Sequence, residues 1–397
     1  MKRLVEWGLA FSILSLSFSI SFLVWQNPFT HAETFNPYRS ISLYGSELLI
    51  WMTFLLWLID LRFQNKLTRV RFTLNELCAL GLLGMVGINS LLVSLNALTS
   101  LAGLVHFLTA LIFVKLLSAR ILPQKVARKI FYSTLVVQGV LAMAQVGLNH
   151  SLGLNFLGEP WLTNTLPGVA KIHLGQSTLL RGYGTFPHPN ILAGYILIGF
   201  LMLMEDSTSF KKRFLRKTIQ LVFALGGLFT LSKGAFMAFL TSMVVVRKIK
   251  PILASVLLVL FLGVGMLSWG HLSKYEFVHE RILYTHISLT MLWEHPEGVG
   301  INQFTERMQE FTATKLQPWQ FQPVHNIFLL IANEWGILPL IFIMLGGGLL
   351  LNNKKWQPCS MTLMSALLTL GLFDHYLFSS YQGLLLTAFV FAQSEAK

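Results

Sequence analysis

The chain has 397 residues, of which 54% are hydrophobic and only 12% charged, with a mean hydropathy of +0.62. A soluble protein of this length carries about twice that charged fraction, which excludes a soluble domain of useful size. A net charge of +13 raises the question of nucleic acid, but the basic residues are not gathered into a patch. The composition instead reads as an all-α, polytopic membrane protein, a single integral unit over 1–397.

Apolar runs of spanning length predict helices at about 8–25, 43–61, 74–94, 97–117, 130–149, 188–204, 218–232, 234–246, 251–269, 324–350, 359–374 and 376–392. The connections between them alternate in charge, and one side holds 22 of the 30 basic residues, from Lys2 and Arg3 to Lys354 and Lys355. By the positive-inside rule that side is cytoplasmic, which gives about twelve spans with both termini inside. The seventh and eighth spans are short, and a hairpin there that fails to cross would leave the same parity. Met1-Lys2-Arg3, an apolar run and Thr30-His31-Ala32 have the outline of a leader. The run is longer than a usual leader core, so it reads as a retained first span. Cys78 and Cys359 offer neither a disulfide framework nor a metal site.

Two connections on the other side are long, about 150–187 and 270–323. The second has aromatic anchors from Trp269 to Phe321 and helix-like stretches at about Glu276–Glu294 and Asn302–Lys315. Between these stretches His295-Pro-Glu-Gly-Val-Gly-Ile-Asn302 reads as a turn. No internal repeat or low-complexity segment is evident.

Four polar groups fall on this same side. Arg181-Gly-Tyr-Gly-Thr-Phe-Pro-His-Pro-Asn190 sits at the mouth of the sixth span. Its Gly and Pro residues are poor material for a membrane helix, and its backbone needs protein or water as partner. Arg281 precedes the Pro296–Asn302 turn; His325-Asn326 opens the tenth span, with Asn333, Glu334 and Gly336 further in; Asp374-His375-Tyr376 forms the last turn. Brought together, two arginines suit a diphosphate headgroup, and a histidine suits a proton transfer near neutral pH. No carboxylate group at metal-ligand spacing accompanies them.

Simpler roles compete with each assignment. Arg181 could snorkel to headgroups, and Arg281 beside Glu280 could belong to a solvated helix face. His325 could bond a neighbour at a helix start. Asn326 and Asn333 could serve packing. Glu334, nine residues from His325, reads as a buried structural acid, and His106 as a helix-contact histidine. In the Pro187-His188-Pro189 run, His188 reads as shaping the turn, with Asn190 capping the next helix.

Taken together, Arg181–Asn190, Leu231-Ser-Lys-Gly-Ala235, Arg281 with Pro296–Gly300, Val324-His-Asn326 and Glu334-Trp-Gly336 resemble the O-antigen ligase and polymerase superfamily of membrane glycosyltransferases. The resemblance runs from about Arg181 to Gly383; the first half is similar only in hydropathy. It implies inverting, metal-independent transfer of a glycan from an undecaprenyl-diphosphate carrier, with no cofactor. The reaction would take place on the outer face of the bacterial cytoplasmic membrane. The acceptor would be a glycan or lipid A-core hydroxyl, or that of a growing polysaccharide or a protein. Arg181 and Arg281 would hold the diphosphate and His325 would act on the acceptor hydroxyl. Lys233, where the family often has arginine, would supply charge, and the 270–323 segment would cover the site as a lid. Asn190, Asn326, Asp374 and His375 are further candidate substrate contacts. The different-class alternative is a transporter or flippase for a lipid-linked sugar.

Overall fold

The computed structural model describes residues 1–26, 36–67, 72–166, 168–174, 177–206, 208–245, 249, 276–352 and 358–394. The expected span at 251–269 lies outside the described residues. The protein is mostly helical, 71% helix and 5% strand. Helices α1 to α5 cover Lys2–Ser15, Gly45–Phe63, Leu74–Val93, Ala97–Ser118 and Gln124–Leu148. Helices α6 to α8 cover Pro189–Glu205, Arg213–Thr230 and Lys233–Val245, and α9 covers Glu276–Glu294. The short α10 (Phe304–Arg307) is followed by α11 (Ile327–Trp335), α12 (Ile337–Asn352), α13 (Pro358–Phe373), α14 (Tyr376–Ser379) and α15 (Tyr381–Ser394).

Among the described residues, three helices are long and apolar enough to cross a membrane: α3, α4 and α5. The others are shorter, more charged or interrupted. The expected span at 324–350 is broken at Gly336 into α11 and α12, and the span at 376–392 is broken at Ser380 into α14 and α15. The first expected span, 8–25, is helix only to Ser15. Beyond it, Ser21–Gln26 (β1) pairs antiparallel with Ser40–Tyr44 (β2). The local sequence explains the change: Ser15, Ser17, Ser19 and Ser21 alternate with Leu16, Phe18, Ile20 and Phe22, the period of a strand. A second hairpin, Lys171–Leu174 (β3) with Ser177–Leu180 (β4), leads directly into Arg181. The helix-like reading of 302–315 shrinks to α10 and a 3₁₀ turn, Met308–Phe311.

Helix ends are well specified. Thr73 and Glu76 form a reciprocal capping box at the start of α3, and the Asn96 side chain caps α4. Nearly every residue of α6 is buried, which makes it the centre of the main core, with α5, α7, α13 and α15 packed about it. A second core lies beneath the 276–323 segment, where Tyr284, Ile287, Met291, Phe304 and Met308 are fully buried. Each such side chain contributes roughly 1.5–3 kcal/mol on leaving water.

Helix α5 gives the molecule its two ends. Near its start, Arg128 Nε donates to Gln393 Oε1 at 2.9 Å. Near its finish, Gln145 Oε1 accepts from the backbone of Tyr183 and Gly184 at 3.0 and 2.8 Å. At 1.5 Å per residue these ends stand about 25 Å apart. The Arg181 loop lies at the Gln145 end and is linked there through Asn190 and Asp374 to His325, with Arg281 on the neighbouring Phe373 carbonyl.

Candidate functional site

The site is built from four separated stretches: the Arg181 loop, the second turn of α9, the turn before α11 and the turn after α13. A stripe of polar side chains on α5 holds the Arg181 loop. Gln138 Oε1 accepts from Thr185 N at 2.8 Å, and Gln145 Nε2 donates to the Gly184 carbonyl at 2.8 Å and to Glu159 at 2.7 Å. Gly184 has a φ of +59°, and a Cβ there would collide with Gln138. Two glutamines two turns apart on an otherwise apolar face of α5 are the sequence signal for this cradle, and it was missed.

With the loop so held, Arg181 lies part-buried against the end of α7. Its Nε donates to the Thr230 carbonyl at 2.6 Å, and Nη2 donates to Asn190 Oδ1 at 2.6 Å. Asn190 Nδ2 then donates to Asp374 Oδ2 at 2.7 Å. Asp374 Oδ1 stands 3.5 Å from Nδ1 of His325. A continuous chain therefore runs from Arg181 through Asn190 and Asp374 to His325. The cap of α6 is His188, whose Nδ1 accepts from Asn190 N at 3.1 Å; Asn190 bridges to Asp374 instead of capping.

Arg281, on the exposed face of α9, reaches the same place from another side, donating to the Phe373 carbonyl at 3.3 Å. Asp374 and His375 occupy the turn just past Phe373, outside the helices, and both are buried. They were expected to touch substrate. Within the protein Asp374 Oδ2 is taken by Asn190, and Oδ1 accepts from His375 N at 2.8 Å. Burial would raise the Asp374 carboxyl, but His325 at 3.5 Å and the nearby His375 and His188 rings hold it well below the usual carboxylate range. The His375 imidazole is pushed down to about 3, mainly by burial, with Asp374 opposing and the His325, His188 and Arg281 side chains assisting. Burial also works against the Arg181 charge, while Tyr183 and Asp374 offset part of the cost.

His325 is one-quarter open and its ring lies 5.0 Å from His375 and 6.3 Å from Tyr284. Its Nδ1 is buried and forms no completed hydrogen bond. One donor atom each from His325, Asp374 and His375 lies within 4.8 Å of the other two. The spacing of these residues in sequence gave no hint of such a set.

The remaining candidates have structural duties. Asn326 caps α11, accepting from Phe328 N and Leu329 N at 2.9 and 3.1 Å, and its Nδ2 donates to the Leu372 carbonyl at 3.4 Å. It fixes His325 beside the Asp374 turn. Asn333 Nδ2 donates to Ser288 at 2.7 Å, and buried Glu334 accepts from Asn302 N and Phe304 N at 3.0 and 3.4 Å. Both bond within the protein, Asn333 in packing and Glu334 as the buried structural acid that its position opposite His325 suggested. His106 Nδ1 sits 3.0 Å from Glu47 Oε1 between α4 and α2. Lys233 is exposed at the first residue of α8, next to Gly234, which packs on Phe373.

The Pro296–Gly300 turn and Glu334-Trp-Gly336 prove to be one joint. Val299 N donates to the Asn333 carbonyl at 2.7 Å, Gly300 N to the Glu334 carbonyl at 2.9 Å, and Ile337 N to the Pro296 carbonyl at 2.9 Å. Gly298 and Gly336 have φ of +90° and +100°, and a Cβ on either would stand 2.5 Å from the other strand's backbone. The segment is fixed on two further sides. Buried Gln303 bonds Thr99 and Ser100 at 2.9 and 3.1 Å, and Arg39 grips Glu306 through Nε and Nη2 at 3.1 and 2.9 Å. This clip brings Tyr38 edge-on to His375, ring centres 5.4 Å apart, where burial and the Asp374 charge push its hydroxyl pKa up. The sequence reading had singled out none of Tyr38, Arg39 or Gln303.

The chain matches no known protein-family description and no curated protein.

Proposed function

We propose that this chain is a polytopic membrane glycosyltransferase similar to the O-antigen ligases and polymerases. It would transfer a glycan from undecaprenyl diphosphate to an acceptor hydroxyl, with inversion and without a metal cofactor. The observation that carries the reading is the chain of contacts from Arg181 through Asn190 and Asp374 to His325, with Arg281 at its edge. Anion-binding groups and a proton acceptor thus meet from four distant stretches of sequence.

In this reading the diphosphate lies between Arg181 and Arg281. Two of the five Arg181 donors are engaged, which leaves the Nη1 edge for a phosphate oxygen. Nδ1 of His325 faces Asp374, so Nε2 is the nitrogen that takes the acceptor proton. Asp374 orients the ring and stabilises the imidazolium. The acceptor oxygen attacks the anomeric carbon from the side opposite the diphosphate, the glycosidic oxygen leaves with the phosphate, and the configuration inverts. Fixed guanidinium groups stabilise the charge that grows on the leaving diphosphate. The shorter and interrupted helices, with α3 to α5, would complete a bundle of about twelve spans. Both termini would be cytoplasmic and the site would be at the outer face, with the 276–323 segment as its cover. Ligase, repeat-unit polymerase and protein oligosaccharyltransferase all use this chemistry.

The test is a reaction of purified protein with a polyprenyl-diphosphate glycan and a panel of acceptor hydroxyls. The expected product is a new glycosidic bond of inverted anomeric configuration. Passage of the lipid-linked sugar across a liposome bilayer with no new bond would instead identify a transporter.

A further inference from the structure

The His325–Asp374–His375 set has a feature that proton transfer alone does not use. Ser379 Oγ donates to the His375 carbonyl at 3.2 Å, so an oxygen lone pair faces His375 Nδ1 at 2.6 Å. With the proton on Nδ1, the tautomer this bond selects, Nε2 turns a lone pair towards Asp374 Oδ1, 3.9 Å away. On the other side of the same oxygen, His325 Nδ1 lies buried at 3.5 Å without a completed hydrogen bond. Two imidazole nitrogens thus stand on either side of one carboxylate oxygen, Asp374 Oδ1.

Zinc bound by nitrogen and oxygen at about 2.0–2.2 Å in a tetrahedron requires ligand atoms about 3.3–3.5 Å apart. Two edges are 3.5 and 3.9 Å and the third lies within 4.8 Å, so closing the set on a zinc ion draws the two imidazole nitrogens together by up to about 1.5 Å. The groups that orient metal ligands are also present: Ser379 on His375, and Asn190 Nδ2 at 2.7 Å on the second Asp374 oxygen. Two imidazoles with one carboxylate favour zinc over magnesium or calcium.

We propose that His325, Asp374 and His375 form a three-ligand Zn²⁺ site whose occupation blocks the proton acceptor. A ring bound to zinc through Nδ1 carries its remaining proton on Nε2 and has no lone pair there for a hydroxyl proton. The metal would then act as an inhibitor of the transfer. The blocking role rests on the function proposed above; the binding does not.

Binding is tested on the purified full-length chain in detergent, with no donor or acceptor present. Co²⁺ serves as a visible probe of tetrahedral geometry and Zn²⁺ as its competitor. The expected result is one equivalent of Co²⁺ with intense visible bands, displaced by Zn²⁺. His325→Ala and His375→Ala should each abolish the bands, and the milder Ser379→Ala should weaken Zn²⁺ binding about 10–100-fold. Absent bands in the intact chain, or bands that persist in both histidine variants, overturn the site. Full transfer activity at saturating Zn²⁺, on a chain shown to bind it here, overturns the blocking role. Loss of metal-free transfer bears only on the function assignment.

Discussion

Two glycine-rich turns at the same end of the molecule differ in what they deliver. In Arg181–Asn190, the glycines let the backbone close onto Gln138, Ala142 and Gln145, and the loop presents two side chains, Arg181 and Asn190, to the polar cluster. In Pro296–Gly300, the glycines let the backbone close onto Gly336, and the turn presents none. Composition marks both as irregular segments beside apolar helices. Only the destination of their side chains separates a site loop from a joint.

The comparison predicts a split between activity and stability. The largest effect is expected at His325: replacement by Ala should lower transfer by about 10²–10⁴-fold and leave the melting temperature of the detergent-solubilised chain near that of the parent. Glu334→Gln, at the joint, should do the reverse, lowering the melting temperature more than the turnover of the folded fraction. A folded Glu334→Gln chain without activity would erase the distinction.

Next comes Gly336→Ala. The left-handed φ alone adds about 1–3 kcal/mol of strain, and the collision with Glu297 adds to it. The variant should melt well below the parent, and an unchanged melting curve would show that the joint tolerates a side chain. Gln145→Leu removes the acceptor for Tyr183 N and Gly184 N and the donor to Glu159. Leaving such groups unpaired costs about 1–3 kcal/mol. Because the cradle also aims Arg181, this variant should additionally raise the donor KM. A stability loss with unaltered KM would mean that the loop keeps its aim without the cradle. The smallest effect is expected for Arg281→Lys, which keeps the charge and loses the fork: a rise of about tenfold in donor KM, since each 1.4 kcal/mol is a factor of ten. No change would restrict Arg281 to its bond with the Phe373 carbonyl.

Hydropathy located α3 and α4 within a residue or so, because an apolar run is a local property of composition, and the helix-like stretch at 276–294 matches α9. It failed where a second pattern overlay the first. The serine alternation after Ser15 turned the end of one expected span into a strand, and Gly336 divided another. For the site, residue types at irregular segments identified Arg181, Arg281 and His325. They took Asn190 for the cap that His188 supplies, and they gave no sign that Asn190 bonds Asp374, because a side chain's partner depends on elements far away in sequence.

The sequence by itself determined a helical, apolar chain with several of its unusual polar residues, Arg181, Asn190, His325 and Asp374 among them, at or beside breaks, since charge and backbone irregularity are costly beside apolar runs and concentrate where they can be satisfied. Only the tertiary structure decided which breaks meet. Asn190 and Asp374 are 184 residues apart and share one hydrogen bond, and Gly298 and Gly336 pass within backbone contact. Local propensity carries no record of such pairings. They follow from the packing of α5, α6, α11 and α13, which brings the ends of these helices to one place.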